Sequence, residues 1–210
     1  MAFNVDQFRQ AMVYDGARPN LFQVILDFPS LVNSTNTTVP FGDGRKLSFM
    51  ASGTQLPASN IGVVRQMYFG REVKFPGNRV FQDWSINIIN DESFDLRNSF
   101  EQWMNLINNH HGNVRDAGMV NSGASGYTGA SGFPGASGYS VPATVIQFNK
   151  DGSSSKYYDF VGLFPIQVDP INLSWGLNDQ IEEFGVTFSY QYWESNTTLD
   201  SVNAASASNQ

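Results

Sequence analysis

Three carboxylates crowd into Asp91, Glu92 and Asp95, and two of them stand four apart, the spacing that puts side chains on one face of a helix. On such a face Asp91 and Asp95 could hold a hard cation or share general acid and base work. The same residues suit a helix N-terminus, where free amides and the macrodipole favour negative charge whatever the function. In that reading Asn90 or Asp91 caps the helix and the acids meet the cations of a nearby hairpin. The only histidines, His110 and His111, are adjacent and fall in a polar segment at the helix end, so solvent is their expected neighbour rather than a nucleophile. The absence of cysteine removes disulfides, thiolate metal sites and cysteine nucleophiles together. Ser125 lacks the final glycine of a nucleophile elbow, and Gly42-Asp43-Gly44 lacks the later glycine or lysine of a phosphate or dinucleotide loop. No catalytic, metal-binding or cofactor-binding residue is assigned, and the chain reads as a non-enzyme. A monomeric hydrolase built on Asp91 and Asp95 is the alternative from another class.

The elements that would position these groups follow from periodicity. Leu96, Phe100, Trp103 and Ile107 recur at spacings of four, three and four, one apolar stripe on a helix over 92–108 that packs on a sheet. A short amphipathic helix is expected over 6–13, with Val5, Phe8 and Met12 on its apolar side, ended by Gly16 and Pro19. Strands are expected over 20–28, 46–51, 83–89, 143–148, 156–161 and 171–175. The clearest one runs over 183–193, where Phe184, Val186, Phe188, Tyr190 and Tyr192 alternate with smaller or polar residues, and it should lie against the long helix. Two β-branched and aromatic runs flank Gly70, a hairpin signal within 61–75. Arg65, Arg71 and Lys74 there, with Arg79 just after, hold four of the 12 cations. Pro76-Gly77-Asn78 reads as a turn, and Gly162 through Pro165, with Pro170, as a break. The fold class is mainly β with one principal helix, an antiparallel sandwich or small barrel.

Composition narrows the partners. The 210 residues suit one domain, and 12 cations against 19 acids give a net charge of -7, so a stripe of cations gripping nucleic-acid phosphates is excluded. Charged residues are only 15% while aromatics reach 14%, well under the usual charged quarter. Either a large core or burial between subunits accounts for that. No window approaches a membrane span, and the first residues carry neither a basic nor an apolar leader region, so a soluble protein without an export signal is expected.

Glycine has its own pattern. Gly123, Gly126, Gly129, Gly132, Gly135 and Gly138 recur every third residue. That is the collagen period, but Pro134 is the run's only proline, too few to favour a triple helix. An extended surface insertion within 112–142 is expected. A second surface loop is expected over 29–45, and a disordered tail over 195–210, on one domain spanning 1–194.

With no catalytic constellation, the order of particular residues becomes informative. Ala17-Arg18-Pro19-Asn20-Leu21-Phe22-Gln23-Val24 opens a series that continues with Leu56-Pro57-Ala58, with Asn78, Arg79, Phe81, Asp83 and Trp84, and with Asn90, Asp91, Glu92, Asp95, Arg97, Phe100 and Trp103. It ends with Gly162-Leu163-Phe164-Pro165, then Leu173, Trp175, Asn178 and Ile181, then Phe184, Val186, Thr187, Tyr192, Trp193 and Glu194. In this order the series resembles the tail tube proteins of contractile-tailed bacteriophages. The resemblance implies a structural subunit whose hexameric rings stack into a hollow conduit for DNA inside a contractile sheath. It also implies a virion location, assembly in the host cytoplasm, and no membrane insertion by the monomer. Implied partners are other copies of itself and the sheath, baseplate and tail-terminator proteins. The same architecture in a bacterial contractile injection or secretion apparatus, carrying protein cargo, is the alternative. On this resemblance the hairpin residues Arg65, Phe69, Arg71, Lys74, Phe75 and Arg79 are expected at subunit interfaces. Phe22, Trp84, Phe100, Trp103, Trp175, Phe184, Phe188 and Tyr192 are expected to form the core and fold motif. The glycine run, the 29–45 loop and the tail depart from the family pattern and would lie outside the lumen.

Overall fold

The longest strand of the molecule belongs to two sheets at once. The computed structural model describes residues 4–12, 16–29, 32, 45–115 and 138–198. In chain order these form α1 (Val5–Ala11), β1 (Phe22–Leu26), α2 (Arg45–Met50), β2 (Ala51–Thr54), β3 (Ser59–Tyr68) and β4 (Arg71–Phe81). There follow β5 (Trp84–Ile89), α3 (Asp95–Ile107), β6 (Val141–Phe148), β7 (Ser154–Val168), β8 (Glu183–Ser189) and β9 (Tyr192–Ser195). Most of the predicted 29–45 loop, the glycine triplets up to residue 137 and the tail from 199 lie outside the described residues.

A seven-stranded antiparallel sheet takes the order β1-β6-β7-β8-β5-β2, with β9 added to β7. The first half of β7 pairs with β6 and β9, and its second half pairs with β8. The sheet folds over at that point, so Phe160 of β7 stacks on Trp84 of β5 with ring centroids 4.5 Å apart. Gly162 makes the fold possible. Its φ is +69°, and a Cβ there would lie 2.9 Å from Gln191 Cγ, so both strands kink together only because this residue has no side chain. The expected break at Gly162 to Pro165 is therefore a bend within one 15-residue strand. The expected single strand over 183–193 is likewise two, because the chain crosses between sheets at Tyr190 and Gln191.

α3 closes the sandwich. Leu96, Phe100 and Trp103 are buried, and Phe100 meets Phe28 at 5.0 Å and Phe188 at 5.8 Å in edge-to-face contacts, the geometry favoured by the ring quadrupole. The Trp103 indole N–H donates to the Tyr139 carbonyl at 2.9 Å. Trp84, Phe184 and Phe188 complete this core and Phe22 packs beside it, half-buried. Two residues expected with them are elsewhere. Trp175 is wholly exposed and Tyr192 is 37% exposed, because 171–175 forms no strand and Tyr192 points away from the core side of β9.

Three local expectations are corrected. Residues 45–50 form helix α2, not a strand, which buries Leu47 and turns Lys46 toward α3. The strand proper begins at Ala51. Pro76-Gly77-Asn78 is no turn: β4 runs through it with one extra residue, Val63 pairing Pro76 and Ile61 pairing Arg79. A bulge in a two-stranded ribbon tolerates a proline because one side of each strand is unpaired, and Gly77 fits because a Cβ would come 3.0 Å from the Gly62 carbonyl oxygen. Residues 195–198, expected to be disordered, are ordered; Ser195 is buried and its N–H donates to Thr198 Oγ1 at 2.7 Å.

The start of α3 also differs. Neither Asn90 nor Asp91 caps it; the helix begins after Phe94, which has φ of 56° and supplies no side-chain cap. Asn90 is held by Glu182, which accepts from its N–H at 2.8 Å and from its amide at 3.0 Å. Lys46 Nζ bridges Asp91 Oδ2 at 2.7 Å and Asp95 Oδ2 at 2.6 Å. The acids thus meet a cation from α2, not those of the hairpin. Burial works against the charge on Asp91, but hydrogen bonds from Lys46 and Ser93 outweigh it and hold the carboxyl below its ordinary range. A depressed carboxyl contributes stability above its unfolded value, and that contribution is lost as pH falls through the folded one. Lys46→Met should therefore lower the unfolding free energy by about 2 kcal/mol at pH 7, leaving two adjacent carboxylates without their shared cation. The loss should shrink as pH falls through the carboxylate range. Chemical denaturation from pH 7 to pH 3 checks both, and equal stability at pH 7 would contradict the assignment.

Candidate assembly interface

β2 is the edge strand of the sheet, beside β5; β3, which follows β2 in the chain, and β4, which precedes β5, pair with each other as a separate two-stranded ribbon. β3 holds 10 residues, so the ribbon extends about 30 Å at the usual rise per residue. Phe69 and Gly70 turn it, both at positive φ, 45° and 80°.

Side chains directly opposite one another in an antiparallel pair share a face. One face holds Val64 opposite Phe75, Gln66 opposite Val73, Tyr68 opposite Arg71 and Asn60 opposite Val80. The other holds Arg65 opposite Lys74, Met67 opposite Glu72, Val63 opposite Pro76 and Ile61 opposite Arg79. The first is mainly apolar. The second carries three cations, Arg65, Lys74 and Arg79, and Glu72, whose carboxylate meets Arg65 Nε at 3.2 Å. That exposed pair adds little stability, and Arg65 directly across from Lys74 is unfavourable in water.

All six residues expected at subunit interfaces lie on this ribbon or its turn and are exposed: Arg65, Phe69, Arg71, Lys74, Phe75 and Arg79. Sequence reasoning chose them for charge and aromaticity and missed the aliphatic half of the surface. Ile61, Val63, Val64, Val73 and Val80 are each at least 39% exposed, beside Met67 and Tyr68 at 63% and 66%. Their alternation within 59–81 was the available signal, but alternation marks a strand without saying which face the same chain covers. An isolated two-stranded hairpin is marginal in water, and an apolar patch of this kind marks a protein–protein surface.

The sheet supplies further unpaired backbone. Among the described residues β2 pairs only with β5, and residues 164–168 of β7 pair only with β8. These are the two edges of one half-sheet, each a template for a further strand. By contrast, the residues first considered for chemistry do not form a reactive site. The carboxylates of Asp91 and Asp95 are both bound to Lys46, and His110 and His111 are exposed beyond the end of α3. Among the described residues no group of three or more His, Cys, Asp or Glu side chains is placed to hold a metal ion.

Open edges beside an apolar ribbon are surfaces of the kind that pair with other chains. The family of phage tail tube proteins matches residues 17–196, and the chain belongs to that family. It is 29% identical over 181 residues to the tail tube protein gp19 of Enterobacteria phage T4, covering 86% of this chain and 92% of that protein. It is 32% identical over 115 residues to the tail tube protein of Serratia phage KSP90, covering 54% and 62% of the two chains. Among solved structures, the tube-terminating cap of the anti-feeding prophage superposes with a TM-score of 0.55 at 11% identity, covering 86% of this chain and 91% of that one. The sheath/tube terminator of an extracellular contractile injection system gives 0.54 at 9% identity, covering 86% and 96%. At these identities the two structures share the fold.

Val64→Asp and Phe75→Asp should each leave the unfolding free energy of the isolated subunit within about 0.5 kcal/mol of wild type, the usual range for exposed sites, while abolishing self-association. Thermal denaturation and size-exclusion chromatography check the two halves, and self-association that survives both charges would remove the ribbon from the interface.

Proposed function

We propose that this chain is the repeating structural subunit of a contractile phage tail tube, with hexameric rings stacked into a hollow conduit for DNA. The observation that carries this reading is the ribbon, apolar on an otherwise hydrogen-bonded scaffold, in a chain of the tail tube family. The ribbon of one subunit lies on its neighbour. The free edge of β2 joins residues 164–168 of β7 in the next subunit, so the half-sheets continue around the ring and leave no edge open. The protein is mechanically passive and does no chemistry.

The outward face of that half-sheet suits the lumen. Ser85 and Asn87 of β5 alternate with the buried Trp84, Ile86 and Ile88, and Gly185, Thr187 and Ser189 of β8 alternate with the buried Phe184, Val186 and Phe188. Glu183 is the one charged residue among the outward positions of β5 and β8. Cations on such a wall would bind DNA by releasing counterions; hydroxyls, amides and an occasional acid let it pass. The opposite side of the subunit faces the sheath, and the tube ends meet baseplate and terminator proteins. The protein is then a component of the virion tail, assembled in the host cytoplasm.

Negative-stain microscopy of the purified protein is expected to reveal rings or tubes with a central hole, and monodisperse single subunits would refute the reading. Ser85→Lys with Thr187→Lys should preserve tubes but make them retain short duplex DNA, with retention falling steeply as salt rises. Retention equal to wild type would move the lumen to another face.

A further inference from the structure

Two exposed apolar features lie outside the ribbon and the sheet edges. The connection from β7 to β8 presents Leu173, Trp175, Leu177 and Ile181, with Leu173 81% exposed and Trp175 fully so. A turn holds the segment in place: the Leu177 N–H donates to the Ser174 carbonyl at 3.1 Å, and the Gly176 N–H to Ser174 Oγ at 3.4 Å. The second feature is α1. Asn4 caps it by accepting from the Asp6 N–H at 3.0 Å, and Val5, Phe8 and Met12, at i, i+3 and i+7, form one stripe that is 69%, 66% and 43% exposed. A helix of seven residues is too short to be stable in water without a surface to pack on.

They are attached at the two ends of β7. Near the start of β7, Phe148 of β6 pairs with Ser154. The Phe148 N–H donates to the Leu21 carbonyl at 2.9 Å, and the Gln147 amide to the Arg18 carbonyl at 3.4 Å. The root of the N-terminal arm is therefore pinned at the Ser154 end of β7. The Trp175 segment leaves from the Val168 end, 14 positions further on and past the bend at Gly162, with about 25 Å of strand before the bend and about 20 Å after it. The chain between Met12 and Arg18 reaches only about 20 Å. Complementary patches attached at the two ends of one strand meet between copies, in a head-to-tail contact that repeats without closing. Charge agrees. Residues 169–183 contain Asp169, Asp179, Glu182 and Glu183 and no cation, while Arg9 on α1 and Arg18 at its root are exposed. α1 also precedes residues 17–196, the part matched by the family.

We infer that α1 of one copy seats its Val5, Phe8 and Met12 stripe on Leu173, Trp175 and Ile181 of the next copy along the tube axis, with Arg9 facing the acids of that segment. This contact joins successive rings and rests on the tube reading above. Phe8→Glu and Trp175→Glu, both at exposed positions, are each expected to leave rings intact and to lose stacked tubes in negative-stain micrographs. Because the chain has no cysteine, the double variant Phe8→Cys and Trp175→Cys gives a direct second readout: oxidised assemblies should run as a ladder of multimers on a denaturing gel, and neither single variant should. Tubes of wild-type length in either glutamate variant, or no ladder from the double variant, would overturn the inference. So would loss of rings together with tubes, which would make the contact lateral. A wild-type chain that forms neither rings nor tubes would instead refute the tube reading itself.

Discussion

A two-stranded antiparallel ribbon satisfies only one side of each strand's backbone, and valines, phenylalanines and tyrosines on it leave apolar surface in water. The β3–β4 ribbon has both conditions: no third strand among the described residues, and large apolar side chains exposed along its length. Its place at the end of the β2–β5 pair puts it beside the free edge of the half-sheet, so one approaching subunit can cover apolar surface and extend the hydrogen-bond ladder together. The open features of this molecule, the bare edges and the cation-free strand face, acquire their meaning from that coupling.

The body that carries the ribbon is built to be rigid. Phe100, Trp103, Phe160, Trp84 and Phe188 interlock through edge and stacked contacts at the junction of α3 with the folded sheet, and interiors packed in this way resist deformation. Lys46 fastens α2 to the start of α3 with two carboxylates. The acidic cluster that looked most capable of chemistry is thus a clasp.

Much of this was legible in the chain. The alternation of Trp84, Ile86 and Ile88, and of Phe184, Val186 and Phe188, named two strands and their buried faces, because a strand buried on one side leaves a period of two. The stripe Leu96, Phe100, Trp103 named the core side of α3 for the same reason at helical period. Errors arose where a local signal competed with a tertiary one. Pro76-Gly77-Asn78 carries turn chemistry, yet the ribbon needed a bulge, and a proline fits there. Residues 46–51 look β-prone, but a helix buries Leu47 and delivers Lys46 to two acids at once. Leu173 and Trp175 alternate as strand residues do, but among the described residues no strand pairs with them.

Residue type and spacing alone determined a weakly charged, aromatic-rich, mainly β chain, and the order of particular residues in it resembles that of tail tube proteins. Periodicity reports which side of an element is apolar, and composition reports what a surface cannot bind. Neither reports whether an apolar side is covered by the same chain. Only the tertiary structure decided that Trp84 is core while Trp175 is bare, and that β7 bends at Gly162 to serve two sheets. Only it showed that the hairpin projects instead of folding back. Those outcomes depend on contacts between residues far apart in sequence, where the geometry of a packed sandwich leaves room for some apolar faces and not for others.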